Sequence, residues 1–260
     1  MPETMVTKPS CFMLTRGAMV EATYAAFRGW DLALSCVENA RRVRRTNYVG
    51  GPSNGWLRNF GKVLTRRFSS EGSGEPLIVL AQHGCPLEVW KPLLLWHMSQ
   101  GDPLVWDFFA DWLYRKYTEG VRRLRSEAVH DYLCIYLNKN LDKGEQWTRA
   151  SLEGAASGLF RMPTDFGILR GSRVKEFVSY RLPEQSFMYL AHAIMEKTQS
   201  PQKTVYSADW HLFMMGPHDV EAEFLRLHQY GQVVYQTAGT LIRLELPCRT
   251  AAEYAGRMTA

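Results

Sequence analysis

Residues 54–68 tie an apolar pattern and a charge pattern to one regular structure. At 100° per residue, Trp56, Leu57, Phe60, Val63, Leu64 and Phe68 fall on one side of a helix. Arg58, Lys62 and Arg66 step by four along the other side, with Lys62 nearly opposite the apolar centre. Such a helix must pack by one face and present cations on the other. The rest of the chain reads in the same way. Helices are expected over residues 19–30 and, with Asp31 as N-cap, over 32–45. Ser53 or Asn54 caps the third, and a turn cluster of roughly eight residues around Gly50-Gly51-Pro52 precedes it.

Further helices are expected over residues 77–83, 87–99 and 103–117, the last opened by Asp102-Pro103. Others cover 122–139, 147–162 (stopped by Pro163), 183–197, and Pro217 to Gly231. Residues 174–182 are strand-like and form a candidate hairpin arm. Residues 233–237 and 241–246 flank Ala238-Gly239 as a two-stranded hairpin. The expected fold is therefore mainly α: a multi-helix globular protein with helix-turn-helix or winged-helix elements and short β-hairpins. Ser/Gly-rich residues 69–75 and polar residues 140–145 suggest boundaries. They give a flexible lead (1–15), a basic helix-turn-helix domain (16–75), a central helical bundle (76–143) and a C-terminal helical region with winged-helix-like hairpins (144–260). A hydrophobic share of 46% is ample for their cores.

Catalytic signatures are missing. There is no H-E-x-x-H, no phosphate-cradling glycine loop and no G-x-S-x-G elbow. Asp107 and Asp111 lie one turn apart, but Arg115 offers Asp111 a simple ion pair. The 5 cysteines include no C-x-x-C pair, which argues against a disulfide framework or zinc site. No signal peptide is evident, and the longest apolar runs fall far short of the ~20 residues of a membrane span. The expectation is a non-enzymatic, cytoplasmic, monomeric protein without cofactor, metal or membrane partner.

Charge supplies the functional signal. Residues 1–70 hold 11 Lys/Arg against 4 Asp/Glu, a balance of +7, while residues 71–260 hold 20 against 22, or −2. From Asn39 to Ser70 there is no acid and there are eight bases. Arg41, Arg42, Arg44 and Arg45 close one helix, where they suit its dipole. Arg58, Lys62 and Arg66 line the next, with Asn54 and Asn59 near enough to reach base edges or phosphates. Arg67 falls on the apolar side. Two helices joined by a glycine-containing turn, the second apolar on one face and cationic on the other, describe a helix-turn-helix. The polyanion this suggests is double-stranded DNA. A membrane surface, an acidic protein partner and a plain solvated face are the alternatives. A second basic group, Arg149, Arg161, Arg170, Arg173, Lys175 and Arg181, is interspersed with Glu153, Asp165 and Glu176. It fits a second winged-helix reader or a solvated surface equally well. The C-terminal helix and hairpin are too acidic for DNA and suit a structural or protein-contact role.

Several short stretches resemble the BrxA family of bacterial BREX phage-exclusion systems. They include Glu21-Ala-Thr, Trp30-Asp31, Trp56-Leu57-Arg58, Arg66-Arg67-Phe68, Asp102-Pro103-Leu104, Asp165-Phe166-Gly167-Ile168-Leu169, Trp210-His211-Leu212-Phe213 and Ala238-Gly239 with Ile242-Arg243. The similarity runs over residues 14–255. It implies a mainly helical fold with helix-turn-helix elements and duplex-DNA binding in phage defence, beside a DNA methyltransferase and ATPases. It implies no catalytic residue. A protein scaffold or an RNA-binding module of the same complex is the alternative role.

Overall fold

The computed structural model describes residues 9–69, 74–140, 147–239 and 241–259. In chain order the elements begin with α1 (Cys11–Arg16), α2 (Val20–Arg28), α3 (Cys36–Thr46), α4 (Asn54–Phe68), α5 (Glu75–Gln82) and α6 (Leu87–Gly101). Next come α7 (Pro103–Trp106), a π-helical turn (Asp107–Leu113), α8 (Tyr114–Thr118), β1 (Arg123–Arg125), α9 (Ser126–Asn140) and α10 (Arg149–Asp165). Then follow β2 (Leu169–Gly171), β3 (Val174–Phe177), α11 (Glu184–Thr198), α12 (Pro201–Val205), a 3-10 turn (Ala208–Phe213), α13 (Pro217–Gln229), β4 (Val234–Ala238), β5 (Leu241–Glu245) and α14 (Ala251–Met258). The protein is mainly α, with two small antiparallel sheets among the described residues.

The chain divides into two compact units, and each is discontinuous in sequence. One comprises the residues up to Glu21 with His97–Tyr180; the other comprises Ala22–Trp96 with Arg181–Ala260. This departs from a division into consecutive blocks at 76 and 144. The cause is pairing between distant segments, which leaves no local composition signal.

In the first unit, the π-helical turn points Phe108, Phe109 and Trp112 inward. Phe108 stacks on Trp112 with centroids 5.2 Å apart. The Tyr132 hydroxyl donates to Asp107 Oδ1 at 2.6 Å, and burial, reinforced by that carboxylate, raises its pKa strongly. Asp111 pairs with Arg115 at 2.9 Å. Both aspartates thus have structural partners. The three strands order as β1-β3-β2, with Arg123 opposite Glu176, Leu124 opposite Lys175 and Arg170 opposite Glu176. Residues 123–125 are therefore a strand, not the first turn of the following helix. Their exposed-buried-exposed alternation is that of a pleated ribbon. α10 passes through Pro163 instead of stopping before it. The proline sits in the last turn, where it forfeits a single backbone bond. The N–H of Phe166 still reaches Met162 O at 3.0 Å, and that of Ile168 reaches Pro163 O at 2.8 Å.

In the second unit, aromatic pairs fill the interior. Tyr24 meets Trp90 edge-on at 5.1 Å, Phe27 meets Phe68 at 4.9 Å, and Phe187 stacks on Trp210 at 4.6 Å. The indole N–H groups of the two most deeply buried tryptophans are satisfied, that of Trp90 by Leu77 O at 2.9 Å and that of Trp210 by Thr204 O at 2.7 Å. β4 and β5 pair from Val234↔Glu245 to Ala238↔Leu241.

The start of α3 differs from expectation, and the reason is a tertiary contact. Ser35, not Asp31, is the N-cap: its hydroxyl accepts from Glu38 N–H while the Glu38 carboxylate accepts from Ser35 N–H, a reciprocal capping box. Residues 32–34 are held out of the helix by Asn39, which is fully buried. Its amide donates to Asp31 O (2.8 Å), Leu34 O (3.2 Å) and Ser35 O (3.3 Å), and its oxygen accepts from Asp31 N–H (2.9 Å). One side chain thus satisfies four backbone groups. In Asn39→Ala, Asp31 O and Ser35 O keep the backbone N–H groups of Leu34 (3.1 Å) and residue 39 (3.0 Å), but Asp31 N–H and Leu34 O lose their partner, and each orphaned buried polar group costs on the order of 1–3 kcal/mol. The expected loss is roughly 2–4 kcal/mol in urea unfolding. Ser35→Ala, which removes only a cap, costs about 1 kcal/mol. Equal losses for the two variants would contradict the role given to Asn39.

Candidate nucleic-acid interface

α3 and α4 pack side by side in opposite directions. Cys36 Sγ, at the start of α3, lies 3.6 Å from Leu64 O near the end of α4. A Cβ on Gly61 would stand 3.7 Å from Ala40 Cβ, an ordinary contact, so the helices approach closely there. Leu57, Phe60, Val63, Leu64 and Phe68 of α4 are buried, as are Asn39, Ala40 and Val43 of α3. Ser53 caps α4 by accepting from Trp56 N–H at 3.1 Å. Asn47 closes α3 in the left-handed region at φ 50° and accepts from Gly51 N–H at 2.6 Å. That locks the glycine turn that separates the two helices.

This packing leaves the basic residues outside. Arg41, Arg44, Arg45, Arg58, Lys62, Arg66 and Asn54 are exposed, and Asn59 is half-buried. None of the six cations makes an ion pair among the described residues. Arg42 behaves differently. It lies over the Tyr48 ring at 5.7 Å and pairs with Asp31 at 3.8 Å. Tyr48 in turn donates to Ala26 O at 2.9 Å. Arg42 is therefore engaged in holding α3 against the preceding loop, and it is set apart from the free cations.

Apart from Arg181, the second basic group lies in the first unit and looks unlike the first. Arg149 pairs with Glu153 at 2.9 Å and Arg170 with Glu176 at 3.8 Å. Arg161 donates to Arg16 O at 2.8 Å, closing the end of α1, and meets Asp165 at 3.7 Å. Arg173 is exposed without an ion-pair partner among the described residues. Lys175, expected among the contact residues, is instead buried and cannot reach a partner molecule. Only 4% exposed, its ammonium donates to Phe160 O at 2.8 Å and Thr164 Oγ1 at 2.6 Å and sits 4.6 Å over the Phe160 ring. Desolvation by burial lowers its pKa, opposed by Asp165. The interior position follows from pairing opposite buried Leu124, a neighbour that sequence spacing alone does not reveal.

Arg122, Arg123 and Arg125 were passed over by sequence reasoning, although all three are exposed. The signal was the two-residue alternation of Arg123-Leu124-Arg125. Arg123 is already paired, at 3.1 Å, with Glu176. Among the cysteines, burial pushes the Cys36 and Cys85 thiols up to about 11, the opposite of nucleophile activation. No helix among the described residues is long and apolar enough to cross a membrane.

No curated protein and no solved structure matches the chain. A family model does: the BrxA model matches residues 12–194, more than half of the chain and including all of α3 and α4, so the chain belongs to the BrxA family.

Proposed function

We propose that this protein is a non-catalytic double-stranded DNA-binding component of a BREX phage-defence system, with α3 and α4 as its principal duplex contact. One observation carries the reading. Six exposed cations lie on two packed helices in an acid-free stretch, and none has an ion-pair partner among the described residues. The bases of the second group are mostly neutralised in place. Long cationic side chains left unpaired are matched to a partner that brings its own anions, and regularly spaced phosphates supply them. Arg58, Lys62 and Arg66 advance by about 6 Å per step along α4, as residues four apart on a helix do. Asn54, exposed in the first turn of α4, suits a base edge.

The remaining elements support a secondary role for the first unit. A helical run, β1, α9, α10 and the β2–β3 hairpin, with strand order β1-β3-β2, has the order of elements of a winged helix. Its outward charges are largely self-paired, so it ranks below α3–α4 as a duplex contact. Counterion release provides the test of the whole proposal. Binding of a labelled duplex of about 30 base pairs is followed over a salt series. If the six cations each neutralise a phosphate, log affinity falls against log salt with a slope of about −5. A slope near zero, or preference for single-stranded RNA over duplex, counts against the assignment.

A further inference from the structure

α3 carries a second pattern, distinct from the line on α4. Val37, Arg41 and Arg45 occur at i, i+4 and i+8, so they form one line along the helix, and all three are exposed. Val37 is 45% exposed, and beside it Leu32 and Leu34 add further exposed apolar surface at 52% and 36%. Asn39 fixes the backbone of that loop, so these side chains are presented by an ordered segment. Exposed apolar residues held in a cluster mark contact surfaces.

α9 carries the complement. Glu127, Asp131 and Ile135 also occur at i, i+4 and i+8, all exposed, with Ile135 58% exposed. Neither acid has a Lys or Arg partner among the described residues. Asp131 has only His130 at 3.9 Å, and Glu127 the Ser126 hydroxyl at 3.5 Å. Each line spans about 12 Å. Laid antiparallel, they match at every position: Val37 on Ile135, Arg41 on Asp131, Arg45 on Glu127. Laid parallel, each apolar residue meets a charge.

We propose that α3 of one chain and α9 of a second copy of this chain form this antiparallel contact, so that the DNA-free protein self-associates. Only one orientation satisfies both the apolar and the charged positions, and this supplies the register. Screened surface ion pairs and a small apolar cap make the association weak and salt-sensitive. Arg41 and Arg45 are also two of the six cations assigned to the duplex, so the contact shares α3 with that reading; Arg58, Lys62 and Arg66 of α4 take no part in it, and, measured without nucleic acid, its failure leaves their duplex assignment standing.

Sedimentation of the full chain without nucleic acid tests it. The mean mass should rise with protein concentration at low salt and return to that of one chain at high salt. Arg41→Glu/Arg45→Glu alone, and Glu127→Arg/Asp131→Arg alone, should each give single chains, because each places like charges opposite one another. Mixing the two variants restores opposite charges in both directions, and association should return. Circular dichroism confirms that each variant is folded. A single-chain mass for the wild type at every concentration, or folded variants that do not associate on mixing, would overturn the proposal. So would association that survives both charge reversals.

Discussion

Arg58→Glu/Lys62→Glu/Arg66→Glu is expected to abolish measurable duplex binding at physiological salt while leaving the protein folded. All three side chains are exposed. Exposed substitutions away from special features change stability by about 0.5 kcal/mol or less. Arg66 lies in the last turn of α4, where a glutamate also opposes the helix dipole, adding up to about 1 kcal/mol. The fold tolerates this. Binding does not, because three cations become three anions facing phosphate. Each lost phosphate contact removes about 0.9 from the salt slope, so removing three cuts it by roughly 3, before any repulsion is counted. Arg149→Glu/Arg170→Glu is the matched control. Those arginines are paired with Glu153 and Glu176, and their reversal should change affinity far less. Wild-type affinity and slope in the folded triple variant would remove α4 from the interface.

How far the sequence reveals this molecule depends on how local each cause is. The two faces of α4 are legible because both depend on a 3.6-residue period within one segment, and the burial of Leu57, Phe60, Val63, Leu64 and Phe68 follows that period. Pro217 and Gly231 bracket α13 for similarly local reasons: a fixed φ at the start, and a positive φ of 69° just beyond the end. The discrepancies have remote causes. Asp31 is as good a capping residue as Ser35, and what decides between them is buried Asn39, eight residues on, binding the loop backbone. Lys175 reads as a surface cation until β1, some fifty residues earlier, pairs with its strand and places it opposite Leu124. Pro163 reads as a stop until the following carbonyls find partners that carry the turn past it. In the candidate interface, the identity of the basic residues was local information. Their freedom from ion pairs was not, since it depends on where every acid of the fold comes to rest.

The most remote of these contacts is also the most open to a decisive stability measurement. α1 packs on α10, with Cys11 Sγ 3.2 Å from Ser151 O and Arg161 closing the last turn of α1. The approach requires glycine at one position. A Cβ on buried Gly158 would overlap the Leu14 carbonyl oxygen and stand 2.9 Å from Leu14 C and 3.0 Å from Thr15 Cα. All of these are backbone atoms, which cannot rotate aside. Gly158→Ala gains up to about 1 kcal/mol of helix propensity but forces α1 off its seat. That exposes Leu14, now 1% exposed, and Met13, now 6% exposed. Re-exposing two such side chains costs about 1.5–3 kcal/mol each, so a net loss of roughly 2–5 kcal/mol is expected. Gly154, one turn earlier on α10, supplies the contrast. A Cβ there would meet only the Thr15 side chain, at 3.4 and 3.5 Å. Gly154→Ala should therefore be neutral or slightly stabilising through its helix propensity. Urea unfolding of both variants, with proteolysis at residues 9–16 as a local probe, separates the two effects. Gly158→Ala should unfold earlier and be cut near α1. If the two alanines behave alike, the close approach of α1 to α10 is not what holds that helix in place.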